Sequence, residues 1–132
     1  MNIQKFQKYS HEISPLYPAL ADKAEAISRA IENSPINVTA ISDGDGILVK
    51  HIIDSLYCAE AVARYADAAH GEGADGDPSG AERRLTLCDV GSGGGFPALP
   101  IAAALGDISV CALDSTAKKC RFIEESAASA GL

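Results

Sequence analysis

No apolar run in this 132-residue chain reaches the roughly 18 residues that a membrane-spanning helix needs. The opening stretch, MNIQKFQKYSHEI, also lacks the apolar core of a secretory signal. Both absences argue against a membrane or exported protein and lead to the expectation of a soluble, cytoplasmic one. Positive charge is scarce: 11 Lys and Arg stand against 18 Asp and Glu, a formal charge of -7. Phosphate binding rests on Lys and Arg, so a broadly cationic nucleic-acid surface is excluded. The deficit is uneven, because residues 1–40 carry four side chains of each sign and residues 41–132 carry all of the excess. A local basic cluster survives at Lys118, Lys119 and Arg121. The four cysteines, Cys58, Cys88, Cys111 and Cys120, show no CxxC spacing. Zinc binding and a disulfide framework are both argued against, and buried reduced thiols are expected.

The length suits one domain with a modest core, and no internal repeat is visible. Residues 20–33 place Leu20, Ala24, Ile27 and Ile31 at three- and four-residue steps, which predicts an amphipathic helix stopped by Asn33, Ser34 and Pro35. The connector INVTAISDGDG follows, with Asp43 and Asp45 available as N-caps. A second helix is predicted over 46–68, its apolar stripe made by Leu48, Ile52, Leu56, Ala59 and Val62. Residues 70–83, rich in Gly, Asp, Ala and Pro, read as a flexible loop. They separate a helical N-terminal segment (1–69) from a third segment (84–132).

That third segment changes period. LTLCDV (85–90) and ISVCAL (108–113) read as buried parallel strands. A helix is predicted between them over 97–105, closed by Gly106, with another over 116–130, capped by Ser115 and closed by Gly131. Strand, glycine-rich turn, helix, strand, acid, helix is the opening half of a doubly wound α/β sheet.

The turn between strand and helix, GSGGGF (91–96), holds four glycines. Glycines there let a ligand approach bare backbone at a helix start, where amides lack partners. Asp114, at the end of the next strand, is 23 residues beyond Gly91, close to the spacing at which an acid meets a ribose. The expected ligand is therefore a nucleoside. A dinucleotide fingerprint starting at Gly91 requires glycine at 96, where Phe96 stands, so pyrophosphate binding is disfavoured. His51, Asp54 and Ser55 lie within one turn of one helix, which cannot build a hydrolase triad drawn from separate elements. The structural expectation is that Ser55 or Asp54 bonds a neighbouring loop while His51 packs on the sheet unit.

The alternating glycines after Asp89 resemble motif I of the S-adenosyl-L-methionine-dependent methyltransferases. DVGSGGGFPALPIA followed by LDSTAKKCRFIEE resembles, more narrowly, the RsmG (GidB) family, which methylates N7 of a guanine in 16S ribosomal RNA. Gly95-Phe96-Pro97, Pro100, Leu113-Asp114-Ser115 and the KKxxF of 118–122 carry that resemblance. INVTAI (36–41) and HIIDSL (51–56) resemble two upstream family segments. Two departures stand out: residues 20–33 lack aromatics, and Ala98 replaces a common glycine. The resemblance implies a Rossmann-like class I methyltransferase unit with S-adenosyl-L-methionine as cofactor. Gly91, Ser92, Gly93, Gly95, Phe96, Asp114 and Ser115 would line that cofactor. His51, Lys118, Lys119 and Arg121 would contact RNA, and 16S rRNA or the small ribosomal subunit would be the partner. No metal and no general base are implied, since N7 is unprotonated at neutral pH.

Members of that family continue through further strands, so the expectation here is a partial sheet that self-associates through open edges. Two alternatives stand beside this reading: a truncated copy that binds cofactor weakly or not at all, and a nicotinamide-dependent oxidoreductase.

Overall fold

A computed structural model describes residues 1–41, 43–71 and 85–132. Most of the segment read as a flexible loop, 72–83, lies outside the described residues. Residues 70 and 71 belong to the backbone of the preceding helix.

The N-terminal part is helical. α1 (Ile3–Ile13) starts at Asn2, whose side chain accepts the Lys5 amide at 3.0 Å, and it buries Phe6 and Ser10. This helix was not anticipated. A single 3₁₀ turn (Tyr17–Leu20) leads into α2 (Ala21–Glu32). Ala24, Ile27 and Ile31 of α2 are buried, the stripe expected from their spacing. Asp43 caps the next segment by accepting the Gly46 amide at 2.7 Å, as anticipated. Asp45 does not cap and instead meets Lys5 Nζ at 2.9 Å.

The helix expected over 46–68 is composite. α3 (Gly44–Gly46) is one turn, Ile47–Ile53 is a π-helix, and α4 (Asp54–Gly71) completes it. The wider π turn has a side-chain consequence. Ile47 and Ile52, and Leu48 and Ile53, lie five apart and are all buried, a pairing that an i→i+5 repeat produces and a regular α-helix does not. The buried face is therefore broader than the stripe read from the sequence, and His51 is carried on its edge.

β1 (Thr86–Val90) and β2 (Ser109–Leu113) pair in parallel, with Cys88 opposite Cys111 and Val90 opposite Leu113. α5 (Ala98–Ala104) makes the crossover and α6 (Ala117–Ser129) follows β2, the mixed α/β order expected. α5 is the hub. It buries Ala98, Leu99, Pro100, Ile101 and Ala103 and touches both the N-terminal helices and β2. α6 ends as expected: Gly131 adopts φ 68°, and the Leu132 amide returns to the Ala127 carbonyl at 3.0 Å.

Two expectations are corrected. The strands are not fully buried but alternate, each with an exposed–intermediate pattern. Among the described residues helices pack on one side only, and Val90 is 80% exposed on the other. For the same reason Cys88 and Cys111 are exposed; Cys58, on α4, is exposed as well, and Cys120 is intermediate. Thiol burial depends on what covers a face, which strand periodicity does not encode. Among the described residues no helix is long and apolar enough to cross a membrane.

Candidate functional site

The C-terminal ends of β1 and β2 meet at the glycine turn. The Gly91 and Ser92 amides both bond to the Leu113 carbonyl, at 2.7 and 2.9 Å, and the Gly95 and Phe96 amides bond to the Ser92 carbonyl. The amides were expected to be bare; most are spent folding the turn, and Gly94 alone among 91–96 has no acceptor within the described residues. Ser92 is buried, and its hydroxyl donates to the Asp89 carbonyl at 3.0 Å. It holds the turn from within.

Asp114 does converge on this turn. Its Oδ2 accepts the Gly93 amide at 3.0 Å and its Oδ1 accepts the Thr116 amide at 2.8 Å. The Thr116 bond, then the Gly93 bond, hold the carboxyl below its ordinary value, helped by Lys119. Asp114 is thus an anion at neutral pH with lone pairs still available, since a carboxylate offers about four. It also replaces the anticipated cap. Thr116, not Ser115, is the N-cap of α6 and makes no side-chain cap bond. Ser115 is exposed and makes no hydrogen bond among the described residues.

The four glycines are not equivalent. Gly91, at φ 86°, has nothing within 4 Å of where a Cβ would stand, so its surface is open. Gly94 is small for another reason: a Cβ there would lie 3.2 Å from the Val38 carbonyl. At Gly95 a Cβ would fall 2.5 Å from Leu99 Cδ1. Open space for a ligand is therefore found at Gly91, while Gly94 and Gly95 let the connector and α5 pack closely.

In the sequence Asp89 stood out only as the acid that precedes the alternating glycines. It ends the packed face of β1, and its Oδ2 is buried with no hydrogen-bond partner among the described residues. A buried acceptor without a donor is costly and marks a place that a ligand cation or donor would complete.

On the other side of the turn, His51 stacks on Phe96, ring centroids 4.6 Å apart and planes 13° from parallel. His51 Nε2 and Thr39 Oγ1 are 2.6 Å apart. Burial lowers the His51 pKa, partly opposed by the Asp54 charge, so the ring is neutral near pH 7. His51 packs on the sheet unit as expected, but Ser55 donates to the His51 carbonyl of its own helix at 2.6 Å and bonds no neighbouring loop among the described residues. Thr39 was missed as a participant. Its segment, INVTAI, was legible as a motif, yet nothing in the residues gave it a partner.

Lys118 and Arg121 are exposed and Lys119 half-exposed along α6, with no ion pair among the described residues. They remain available cations at the Asp114 end of the sheet.

The family described as rRNA small subunit methyltransferase G (GidB) matches residues 24–132. Among curated relatives, a "Ribosomal RNA small subunit methyltransferase G" of Cupriavidus necator is 40% identical over 100 residues, covering 76% of this chain and 40% of that protein. A Limosilactobacillus reuteri protein of the same name is 30% identical over 135 aligned residues, covering 100% of this chain and 50% of its own length. A third, from Hydrogenovibrio crunogenus, is 40% identical over 100 residues, 76% of this chain and 37% of that protein. The chain spans half or less of the length of these relatives.

Proposed function

Since the chain belongs to the rRNA small subunit methyltransferase G (GidB) family, we propose that it forms the S-adenosyl-L-methionine-binding part of an enzyme that methylates guanine N7 in 16S rRNA. The observation that carries this reading is the 3.0 Å bond between Asp114 and the Gly93 amide. It joins the acid to the glycine turn just beyond the strand ends, the place where a nucleoside sits in such sheets.

The residues present fit the cofactor. Asp114, ionised and with acceptor capacity left, takes the two ribose hydroxyls. The open face of Gly91 admits the ligand against backbone. The orphaned Asp89 Oδ2 accepts from the ammonium of the amino-acid end, satisfying a buried acceptor that is otherwise unpaired. Phe96 walls the turn, and its side chain occupies the place of the third glycine of a dinucleotide site, which disfavours a nicotinamide cofactor. When bound, S-adenosyl-L-methionine supplies an electrophilic methyl group on a sulfonium.

N7 of guanine presents an in-plane lone pair that carries no proton at neutral pH. The protein therefore needs to hold two partners in line and has no proton to remove. Lys118, Lys119 and Arg121 would take RNA phosphates beside that crevice.

Titration calorimetry on the 132-residue chain tests the reading. S-adenosylhomocysteine should give binding heat that Asp114→Ala removes, while NAD gives none. Heat with NAD alone would move the site to the oxidoreductase class, and heat with neither would leave an inert copy.

A further inference from the structure

A concavity of about 290 Å³ opens against the glycine turn, with Ser92, Gly94 and Phe96 in its lining. The connector lines it with Val38 and Thr39, the π-helix and α4 with Lys50, His51 and Asp54, and the turn with Gly94 and Phe96. Its size lies near the lower end of about 300 Å³ found for small-molecule sites, enough for one heterocycle and too little for a dinucleotide.

Its chemistry is specific. One wall carries the His51–Phe96 ring pair, held in place by Thr39. Asp54 is exposed and makes no hydrogen bond or ion pair among the described residues other than those of its own helix. A carboxylate accepts only, so the cleft prefers a planar group with two adjacent donors. Lys50, exposed at the same cleft, supplies a cation for a phosphate attached to that group.

We propose that this cleft seats the guanine to be methylated, with Asp54 accepting from N1–H and the exocyclic amino group while the His51–Phe96 pair supports the ring. The choice of guanine rests on the methyltransferase reading above. Enzymes that act on a base inside folded RNA draw it out of the stack and read its Watson–Crick edge in such a pocket. The orientation also suits the reaction. N7 lies across the bicycle from the N1 edge, so a base anchored at Asp54 turns N7 away from the helix and toward the glycine turn that forms the other wall.

The test is amide-resolved NMR on the 132-residue chain, titrated in parallel with guanosine, inosine and adenosine 5′-monophosphates. Guanosine monophosphate should shift the Thr39, His51, Ser55 and Gly94 amides and bind at least fivefold tighter than inosine monophosphate, which lacks the amino group. Adenosine monophosphate should bind weakest. Asp54→Asn should erase the preference for guanosine while leaving the shifts caused by S-adenosylhomocysteine at Gly91 and Asp114 intact. Equal binding of the three nucleotides, shifts confined to other residues, or an unchanged preference in Asp54→Asn would overturn the proposal. The two readings fail separately: selective guanosine binding without S-adenosylhomocysteine binding removes the cofactor assignment and keeps the cleft, and the reverse removes the cleft alone.

Discussion

Replacing Gly95 by alanine separates backbone strain from steric crowding, because Gly91 provides an internal control. Both residues hold nearly the same left-handed torsion, φ 87° and 86°, which costs a residue with a Cβ about 1–2 kcal/mol. They differ in surroundings. A Cβ at 91 meets nothing within 4 Å, whereas one at 95 falls 2.5 Å from Leu99 Cδ1 and 2.8 Å from Leu99 Cγ, with Ile123 at 3.6 Å. Leu99 is 3% exposed inside the α5 hub, so it has little room to retreat, and overpacking of this kind costs about 1–3 kcal/mol. Gly91→Ala should therefore cost about 1–2 kcal/mol and Gly95→Ala about 2–5 kcal/mol. Subtracting the two cancels the shared strain and isolates the clash. With a urea slope near 2 kcal/mol per molar, the midpoints should differ by about 0.5–1.5 M. Urea unfolding followed by circular dichroism reads this directly. Equal midpoints, or a lower one for Gly91→Ala, would refute the packing role given to Gly95. For ligand binding the ranking should invert: Gly91→Ala fills the open face and should lose S-adenosylhomocysteine, while folded Gly95→Ala should still bind it.

Two further outcomes follow from the geometry. Burial lowers the His51 pKa below its ordinary 6.5, so the folded state favours the neutral ring; that contribution is fully present above pH 6.5 and lost as pH falls below it. The urea midpoint should drop between pH 7.5 and 5.5, and His51→Phe, which keeps a ring against Phe96 but cannot titrate, should show a smaller drop; an equal drop would remove His51 as the source. Cys58, Cys88 and Cys111 are exposed, so a disulfide reagent should label three thiols in native protein without denaturant, and labelling of none would restore the buried reading. Cys88 should lag at neutral pH, because partial desolvation and then the neighbouring Cys111 push its thiol pKa up.

The local order of the C-terminal part was legible because its signals are covalent in spacing. A strand of six residues, a glycine turn and an acid after the next strand leave few ways to connect, and β1, α5, β2 and α6 appear in that order. α2 was legible for the same reason, since Ala24, Ile27 and Ile31 fix one face. What was illegible depends on contacts between distant segments. The π turn at Ile47–Ile53 carries the same residues an α-helix would accept, and only packing on both Ile47 and Ile52 distinguishes them. The exposure of Cys88 and Cys111 follows from helices covering one sheet face, and α1 from tertiary contacts of Phe6.

The glycine turn shows most clearly why a motif is not yet a mechanism. Its spacing pointed to a nucleoside and suggested that every glycine makes room for one. The structure divides the work. Gly91 faces open space, Gly95 yields to Leu99, and Gly94 yields to the Val38 carbonyl. Val38 adjoins Thr39, which holds His51, which stacks on Phe96. Two segments read separately in the sequence, INVTAI and HIIDSL, thus close on a third, GGGFP, and each explains a residue in the others. A larger residue at 94 should displace the connector, tilt His51 and disturb the cleft at Asp54 without touching the Asp114 crevice. The crowding that fixes glycine at 94 and the stacking that fixes an aromatic at 96 are therefore one constraint, imposed by the N-terminal helices on the turn.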